Sequence, residues 1–575
     1  MSISDQVSME AHLSLVLDTV DGAIDYKGQP AIRSKSGSWK SARFIIGVEV
    51  AERVAFYGIQ TNLISYLTGP LHQTTVTAAE NVNIWTGTAS LLPIFGAYIA
   101  DSHLGRYTTI IIASLLYVVG LGLLTLSAML PSLTNSECKV GNEFTSCPPR
   151  VQVILFFVSL YMVAIGQGGH KPCVQAFGAD QFDEQHPKEY KDRSSFFNWW
   201  YFTMCAGCMV TLWILNYIQD NLSWVLGFGI PFVAMIIALL VFLLGTMTYR
   251  FNIQGNDSSP FLRIGRVFVA ALTNWRTNLS SSAIEEEHGE IVPHHNYDQQ
   301  FNFLNKALLA PNDSKEKETC RHSEVEEAKA VLRLVPIWAA SLVYGIVFAQ
   351  SPTFFTKQAV TMDRNIFPGF DIPAASLQTL PLTGIVLFSP IYDRLFVPIA
   401  RAITGKPSGI TVLQRIGTGL FISIFAISIA ALVEMKRLKT AQESGLVDDP
   451  NATLPMSIWW LIPQYFLFGI SDVFIMVGLQ EFFYGQVPND LRSMGLALYL
   501  SIFGVGSFLS GFLISLIEKV CGKDGKQDSW FANNLNKAHL DYFYWLLSGL
   551  SVVGLALFIC FSKSYIYNHK VTRRG

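Results

Sequence analysis

Residues 49 to 57 read EVAERVAFY, placing Glu49, Glu52 and Arg53 on one side of a helix inside an otherwise apolar stretch. Glu49 meets Glu52 at i+3 and Arg53 at i+4, and Tyr57 continues that face a turn later. Two carboxylates beside one guanidinium cannot both be fully stabilised as anions, because desolvation and like-charge repulsion favour a proton on one of them. That is the condition for a group that takes up and releases a proton reversibly. A static ion pair needs only one acid. Which glutamate would carry the proton is not written in the residues.

Charge recurs twice more within apolar segments. GQGGHKP, Gly166 to Pro172, sets Lys171 behind glycines that let helices approach closely and before a proline that interrupts the local backbone ladder. The alternative for Lys171 is a side chain snorkelling to the membrane interface. His170 beside it reads as structural rather than as a ligand or proton relay. Asp472 and Glu481 lie in GISDVFIMVGLQEFFYGQVP, where Glu481 follows an apolar run and precedes two phenylalanines. This points Glu481 to a central cavity, with a gating contact as the alternative. A carboxylate facing Arg53 and Lys171 would give that cavity a charge gradient able to orient a dipolar solute. No metal set is expected, and the adjacent His294 and His295 read as a solvated pair.

The elements that must carry these charges are membrane spans. Only 15% of the 575 residues are charged, against roughly 25% in an average soluble protein. Blocks such as residues 107 to 130 exceed the roughly 20 residues a bilayer-crossing helix needs. Spans are expected at 42–68, 79–101, 107–130, 151–173, 196–219, 222–249, 330–352, 372–398, 409–434, 456–486, 491–519 and 539–563. The organisation follows: an N-terminal segment 1–41, a six-helix bundle 42–249, a linker 250–329, a second six-helix bundle 330–563 and a tail 564–575. The linker holds Glu285-Glu286-Glu287 and KEKE at 315–318, with an amphipathic helix expected near its ends. Arg33, Lys35 and Lys40, the linker, and Lys570, Arg573 and Arg574 put both termini and the linker in the cytoplasm by the positive-inside rule, although the lysines between spans 11 and 12 disagree.

Several classes are excluded or set aside. A net charge of -2 argues against nucleic acid as a partner. The first 41 residues lack the pattern of a removable signal peptide, and no GxxxxGK[ST] loop is present for nucleotide-driven pumping. The cysteines are too few for a disulfide framework. Cys173, Cys205, Cys208 and Cys560 read as small buried residues, while Cys138 and Cys147 share a loop where a local disulfide is feasible. The run FFNWWYF, Phe196 to Phe202, reads as an interfacial aromatic belt.

A faint internal repeat links GAYIADSHLGRY, Gly96 to Tyr107, with SPIYDRLFVPIAR, Ser389 to Arg401. Each puts an acid and then a base at a cytoplasmic turn. Two six-span halves with related turns are the architecture of a major-facilitator transporter, whose substrate site lies near the midplane between the halves. The fold class expected is therefore an all-α membrane protein of major-facilitator fold, with about twelve transmembrane helices in two six-helix halves. Asp101, Gly105 and Arg106 read as a gate that pairs across the two halves when the cytoplasmic side is closed. Arg106 also stands three residues before Thr109, so Thr108 and Thr109 are candidate phosphorylation sites for a kinase.

Taken together, EVAER, GAYIADSHLGRY, GQGGHKP, FFNWWYF and VGLQEFF resemble the proton-coupled oligopeptide transporter family, and more closely its plant nitrate and peptide transporter branch. The resemblance spans nearly the whole chain. It implies proton coupling through Glu49, Glu52 and Arg53, pairing of Lys171 with them, and substrate contact at Glu481. In the family's nitrate transporter a histidine of span 7 is associated with anion binding. The equivalent stretch here, YGIVFAQSP, puts Phe348 there, which argues against nitrate selectivity by that route. The family's span-5 signature ends in Asn-x-Gly, whereas this chain has Cys205-Ala206-Gly207, similar to a plant subgroup with members at the vacuolar membrane.

The expected activity is proton-coupled symport of nitrate, a di- or tripeptide or another small organic plant metabolite by alternating access. No enzymatic chemistry is expected, and no cofactor beyond protons as coupling ion. The substrate would contact Lys171, Glu481, Tyr57 and Phe348, and the expected address is the plasma or vacuolar membrane. The rival readings are an uncoupled facilitator and a solute sensor signalling through the linker.

Overall fold

The computed structural model describes residues 18–130, 137–140, 143–146, 149–183, 185–252, 260–275, 301–308, 320–367, 369–391, 395–404, 410–450, 452–488, 491–521 and 529–565. Within them the first half is built from α1 (Ser38–Gln60), α2 (Thr75–Ile99), α3 (Arg106–Met129), α4 (Arg150–Ala179), α5 (Pro187–Val210, extended by turns to Asn221) and α6 (Trp224–Leu244). The second half holds α7 (His322–Phe348), α8 (Thr379–Ile391), α9 (Val412–Glu443), α10 (Ile462–Gly485), α11 (Arg492–Cys521) and α12 (Leu540–Ser564). Eight of the twelve are long and apolar enough to cross a membrane by length and composition. The others are α1, α2, α5 and α8. The polar residues that interrupt α1 include the charges singled out above.

Most of these helices are apolar on more than one face, and the outer face stays uncovered. On α3, Ala113, Tyr117, Leu121 and Leu124 are buried while Ile112, Leu115, Val119 and Leu126 are between 42% and 49% exposed. A stripe of that kind repeated around the molecule would aggregate in water and is the ordinary outer surface of a protein in lipid. This is an integral, multi-pass membrane protein.

The internal repeat is explicit in the packing. In the first half α1 packs on α5 and α6, α2 on α4, and α3 on α4 and α6. Adding six to each number gives the second half: α7 packs on α11 and α12, α8 on α10, and α9 on α10 and α12. The principal seam between the halves is α2 against α11. There Gly87 and Gly504 meet, and a Cβ on Gly87 would stand 2.9 Å from the Gly504 carbonyl oxygen.

Hydrogen bonds join the halves toward the end where α1 finishes and α2 begins. Gln378 Nε2 donates to the Thr61 carbonyl (3.0 Å), Ser376 Oγ to the Leu212 carbonyl (2.6 Å) and Lys357 Nζ to Thr68 Oγ1 (3.1 Å). The Thr75 amide donates to Asn533 Oδ1 (2.9 Å).

At the opposite end, part of the N-terminal segment is folded. Strand Thr19–Ile24 pairs antiparallel with Pro30–Ile32 on one edge and with Phe251–Asn252, just after α6, on the other. Arg250, 1% exposed, donates to Glu189 Oε2 (2.7 Å) and to the Ser36 carbonyl (2.7 Å), and Arg33 donates to Asp183 Oδ2 (2.6 Å). Gly37 has φ +74°, and a Cβ there would sit 2.1 Å from Arg250 Nε, so only glycine fits. An amphipathic helix, Pro260–Thr273, lies in the linker and packs on α7. Residues 285–287, 294–295, 315–318, 570 and 573–574 lie outside the described residues.

Candidate functional site

The charged face expected of α1 is present and is buried. Glu49 is 2% exposed, Glu52 0% and Arg53 4%. Arg53 Nε donates to Glu49 Oε1 at 2.7 Å and stands 3.1 Å from Glu52 Oε2. One guanidinium therefore faces two carboxylates, and Glu49 Oε2 and Glu52 Oε1 have no hydrogen-bond partner. Tyr57 follows on the same helix, close enough to interact electrostatically with Arg53 and Glu52.

Lys171 comes to this cluster from α4, within electrostatic range of Arg53, Glu52 and Glu49. The glycines around it allow the approach. A Cβ on Gly168 would lie 2.6 Å from Leu92 Cβ of α2, and one on Gly166 would lie 2.9 Å from the Ala113 carbonyl oxygen of α3. One boundary is corrected. The span expected to end at 173 runs on to Ala179, because losing one backbone rung at Pro172 inside a packed bundle is tolerable. Lys171 is therefore an interior residue of α4 rather than one near its end.

His170 also joins the cluster, which the sequence reading did not anticipate. Its side chain is 0% exposed, and one ring nitrogen lies within 4.8 Å of carboxylate oxygens of Glu49 and Glu52. A histidine held for structural reasons pairs at least one nitrogen, and among the described residues neither nitrogen has a partner here.

In the second half Glu481 is 55% exposed at its side chain and lies 3.6 Å from Arg415 of α9, in the same half. Phe348 sits among aromatic rings of α7, α10 and α11, 5.1 Å from Phe503 and 6.1 Å from Phe468. Tyr344, one turn before it, donates to Asp472 Oδ1 of α10, and both are buried. Asp472 was visible as an intramembrane charge, but its partner was not, because the two are 128 residues apart in the chain.

At the turn between α2 and α3, Gly105 adopts φ +75° and Arg106 donates to Asp180 Oδ2 at the end of α4 (2.6 Å). That bond lies within the first half. The side chain of Asp101 lies outside the described residues. Thr109 is 6% exposed and donates to the Gly105 carbonyl (2.8 Å), whereas Thr108 is exposed.

Two further readings need correcting. The aromatic run is not simply a belt: Phe196 and Trp200, four residues apart, are buried in one cluster with Ile45 and Phe177, while Phe197 and Trp199 face outward. Cys173 and Cys208 are buried as expected, but Cys560 is exposed on the outer face of α12. Cys147 and the side chain of Cys138 lie outside the described residues.

Sequence reasoning missed one arrangement altogether. Glu434 and Arg437 of α9, both 0% exposed, form a two-pronged pair at 2.6 and 2.8 Å. Gln358 Nε2 donates to Glu434 Oε2 (2.8 Å), and Arg437 donates to Asn536 Oδ1 (2.8 Å) and the Leu535 carbonyl (2.6 Å). The signal was an acid and a base at i, i+3, overlooked because α9 was expected to stop at 434.

Comparison with known proteins agrees along the chain. A profile described as the POT family matches residues 107–531. Protein NRT1/ PTR FAMILY 5.10 of Arabidopsis thaliana is 64% identical over 566 residues, covering 98% of this chain and 99% of that protein. Protein NRT1/ PTR FAMILY 5.13 of the same plant is 58% identical over 561 residues, covering 96% and 98%. Among solved structures, an auto-inhibited POT family peptide transporter superposes with TM-score 0.69 at 20% identity, covering 92% of this chain and 98% of that one. The POT family transporter PepTSo gives 0.68 at 20% identity, covering 91% and 98%. These two likenesses show a shared fold.

Proposed function

The chain belongs to the POT family of transporters, and from that premise we propose that it is a proton-coupled symporter of a small solute, working by alternating access. The observation that carries the reading is the excess of acid over base in α1: one Arg53 guanidinium held between Glu49 and Glu52, all three buried. With both glutamates ionised they hold Arg53 and attract Lys171. A proton on either weakens those attractions and leaves positive charge for an anionic group of the substrate. Proton and substrate then cross together as one half rocks against the other.

The bonds between Gln378 and Thr61, Ser376 and Leu212, and Lys357 and Thr68 close the side away from the cytoplasm. On this reading the state described is open inward, which accords with the exposure of Glu481 and with the pairing of Arg106 inside its own half. Lys171 takes the anionic end of the solute. Phe348, among Tyr344, Phe468 and Phe503, offers ring surface and no charge, which favours an organic body over nitrate. Tyr57 and Glu481 complete the contacts, and Asp101, Gly105 and Arg106 form the gate. With NRT1/ PTR family proteins as relatives and a peptide transporter among the structural neighbours, nitrate, a di- or tripeptide and a small organic plant metabolite are the candidates, at the plasma or vacuolar membrane.

The test is uptake into proteoliposomes, with and without an imposed proton gradient, over nitrate, dipeptides and glycosides. Gradient-dependent accumulation of one class supports symport, and equal uptake in both conditions supports uncoupled facilitation. A transport-dead variant that still signals would favour a sensor. Regulation by a kinase at Thr108 or Thr109 belongs to the same proposal. Thr108 is the accessible member, whereas phosphate on Thr109 requires its bond to Gly105 to open. Mass spectrometry of native protein that never finds phosphate at either residue removes it.

A further inference from the structure

We propose that His170 is a second proton-holding station, exchanging the coupled proton with Glu49 and Glu52 through one bridging water. The inference rests on the reading of those glutamates as proton carriers and adds a residue of another helix to them.

Its basis is an unmet demand. His170 is 0% exposed, and both ring nitrogens lack a partner. Glu49 Oε2 and Glu52 Oε1 are unpartnered as well. One ring nitrogen and carboxylate oxygens of both glutamates lie within 4.8 Å of one another. Buried polar groups left unpaired cost free energy, so the imidazole and the two carboxylates, each with unpaired atoms and gathered in one place, point to a common occupant. No direct hydrogen bond joins the ring to either carboxylate, and a gap of up to 4.8 Å is one that a single water spans with two.

Such a set could in principle hold a metal ion. Arg53 Nε, 2.7 Å from Glu49 and 3.1 Å from Glu52, already supplies a fixed positive charge where a dication would have to sit. A proton adds only one charge, and it moves. In the exchange, the protonated glutamate gives its proton to the water while the water gives one of its own to the free ring nitrogen. A carboxylate and an imidazolium result, and the water is regenerated.

Every charged or titratable group facing the ring bears on this balance. Burial first and then Arg53 of α1 oppose positive charge on the imidazole, and the nearby carboxylates of Glu49 and Glu52 favour it. Lys171, the next residue of α4, lies within electrostatic range of the same two glutamates. Tyr117 of α3, whose hydroxyl is buried and unpartnered, and Cys208 of α5 stand within electrostatic range of the glutamates. The approach of α2 at this level is through Gly96 against Gly168 and Gly169.

The test needs no knowledge of the substrate. Full-length protein in lipid nanodiscs is titrated while the infrared carbonyl band of protonated carboxyl groups is followed. Spectra of Glu49→Gln and Glu52→Gln subtracted from wild type isolate the two carboxyls. His170→Gln keeps a hydrogen-bonding side chain but cannot take a proton, and should move the midpoint of the isolated band by about one pH unit or more. A second measurement stands if that variant does not fold: in protein labelled with 15N-histidine, Glu52→Gln should change the titration of the His170 ring nitrogens. An unchanged midpoint, or ring nitrogens indifferent to Glu52→Gln, overturns the proposal and leaves the glutamates as carriers. If neither glutamate variant removes any carboxyl band, the reading beneath it falls too.

Discussion

The buried Glu434–Arg437 pair of the second half and the buried Glu49, Glu52 and Arg53 of the first differ in how their charges match, and on our proposal that difference separates a proton-carrying charge from a structural one. Glu434 and Arg437 are matched one to one, and each has further bonds from Gln358, Asn536 and the Leu535 carbonyl. Glu49, Glu52 and Arg53 are two to one, with carboxylate oxygens left over. Removing a charge from the matched pair leaves its partner buried and alone, which costs about 3–5 kcal/mol. Glu434→Gln should therefore lower the thermal stability of the purified protein while leaving the gradient dependence of whatever protein survives. Glu49→Gln or Glu52→Gln should do the reverse, and thermal melts beside gradient-driven uptake distinguish them. The same logic divides the substrate contacts. Lys171→Ala should weaken every anionic substrate, because the α1 carboxylates then repel it. Glu481→Gln should hurt zwitterionic or polar organic solutes more than nitrate. Equal loss for both classes would make Glu481 a gating residue, a role its pairing with Arg415 could serve. The α1 and α4 charges were legible because intramembrane charge is rare and the spacing within a helix is fixed. His170 in this cluster and the Tyr344 partner of Asp472 were not, because each depends on which face a helix turns to another.

At the scale of elements, small residues set how closely the helices approach. A Cβ on Gly506 of α11 would lie 2.5 Å from Gly345 Cα of α7, with no flexible side chain there to yield. Gly506→Leu should destabilise the second half by about 1–3 kcal/mol or more, visible as a lowered melting temperature with the first half's packing intact. The N-terminal hairpin is held by charge instead. Burial alone would raise the Asp183 carboxyl, but the Gln185 amide and the Arg33 guanidinium hydrogen-bond its anion and hold it below the usual carboxylate range. A depressed value means the contact is fully stabilising above the ordinary carboxylate range near about 4 and is lost as pH falls through the lowered value. Protection factors of the amides of residues 19–32, corrected for the intrinsic pH dependence of exchange, should therefore be high at neutral pH and fall only in acid, whereas Arg33→Gln should remove that dependence. The twelve spans could be read from apolar block lengths, since the bilayer fixes them. The hairpin could not, because its strands are short and the residues that dock it lie 150 or more positions away.

The whole molecule is two copies of one packing scheme with different contents. The first half holds the unmatched acids, and the second holds the matched pair and the aromatic wall around Phe348. The repeat was faint in two turn sequences and plain in the helix pairs, because the packing survives where the residues at the contacts have changed. Rocking of such halves couples a proton to a solute only if the protonation change is confined to one of them and is felt by the substrate at the seam. The central claim is that Glu49 and Glu52 supply that change. Its most direct test is uptake by proteoliposomes of wild type, Glu49→Gln and Glu52→Gln, each with and without an inward proton gradient, after a panel of nitrate, dipeptides and glycosides has identified a carried solute. The account predicts that the gradient drives accumulation in wild type, and that at least one glutamate variant loses it while reaching the membrane in normal amount. Wild-type gradient dependence in both variants would contradict it.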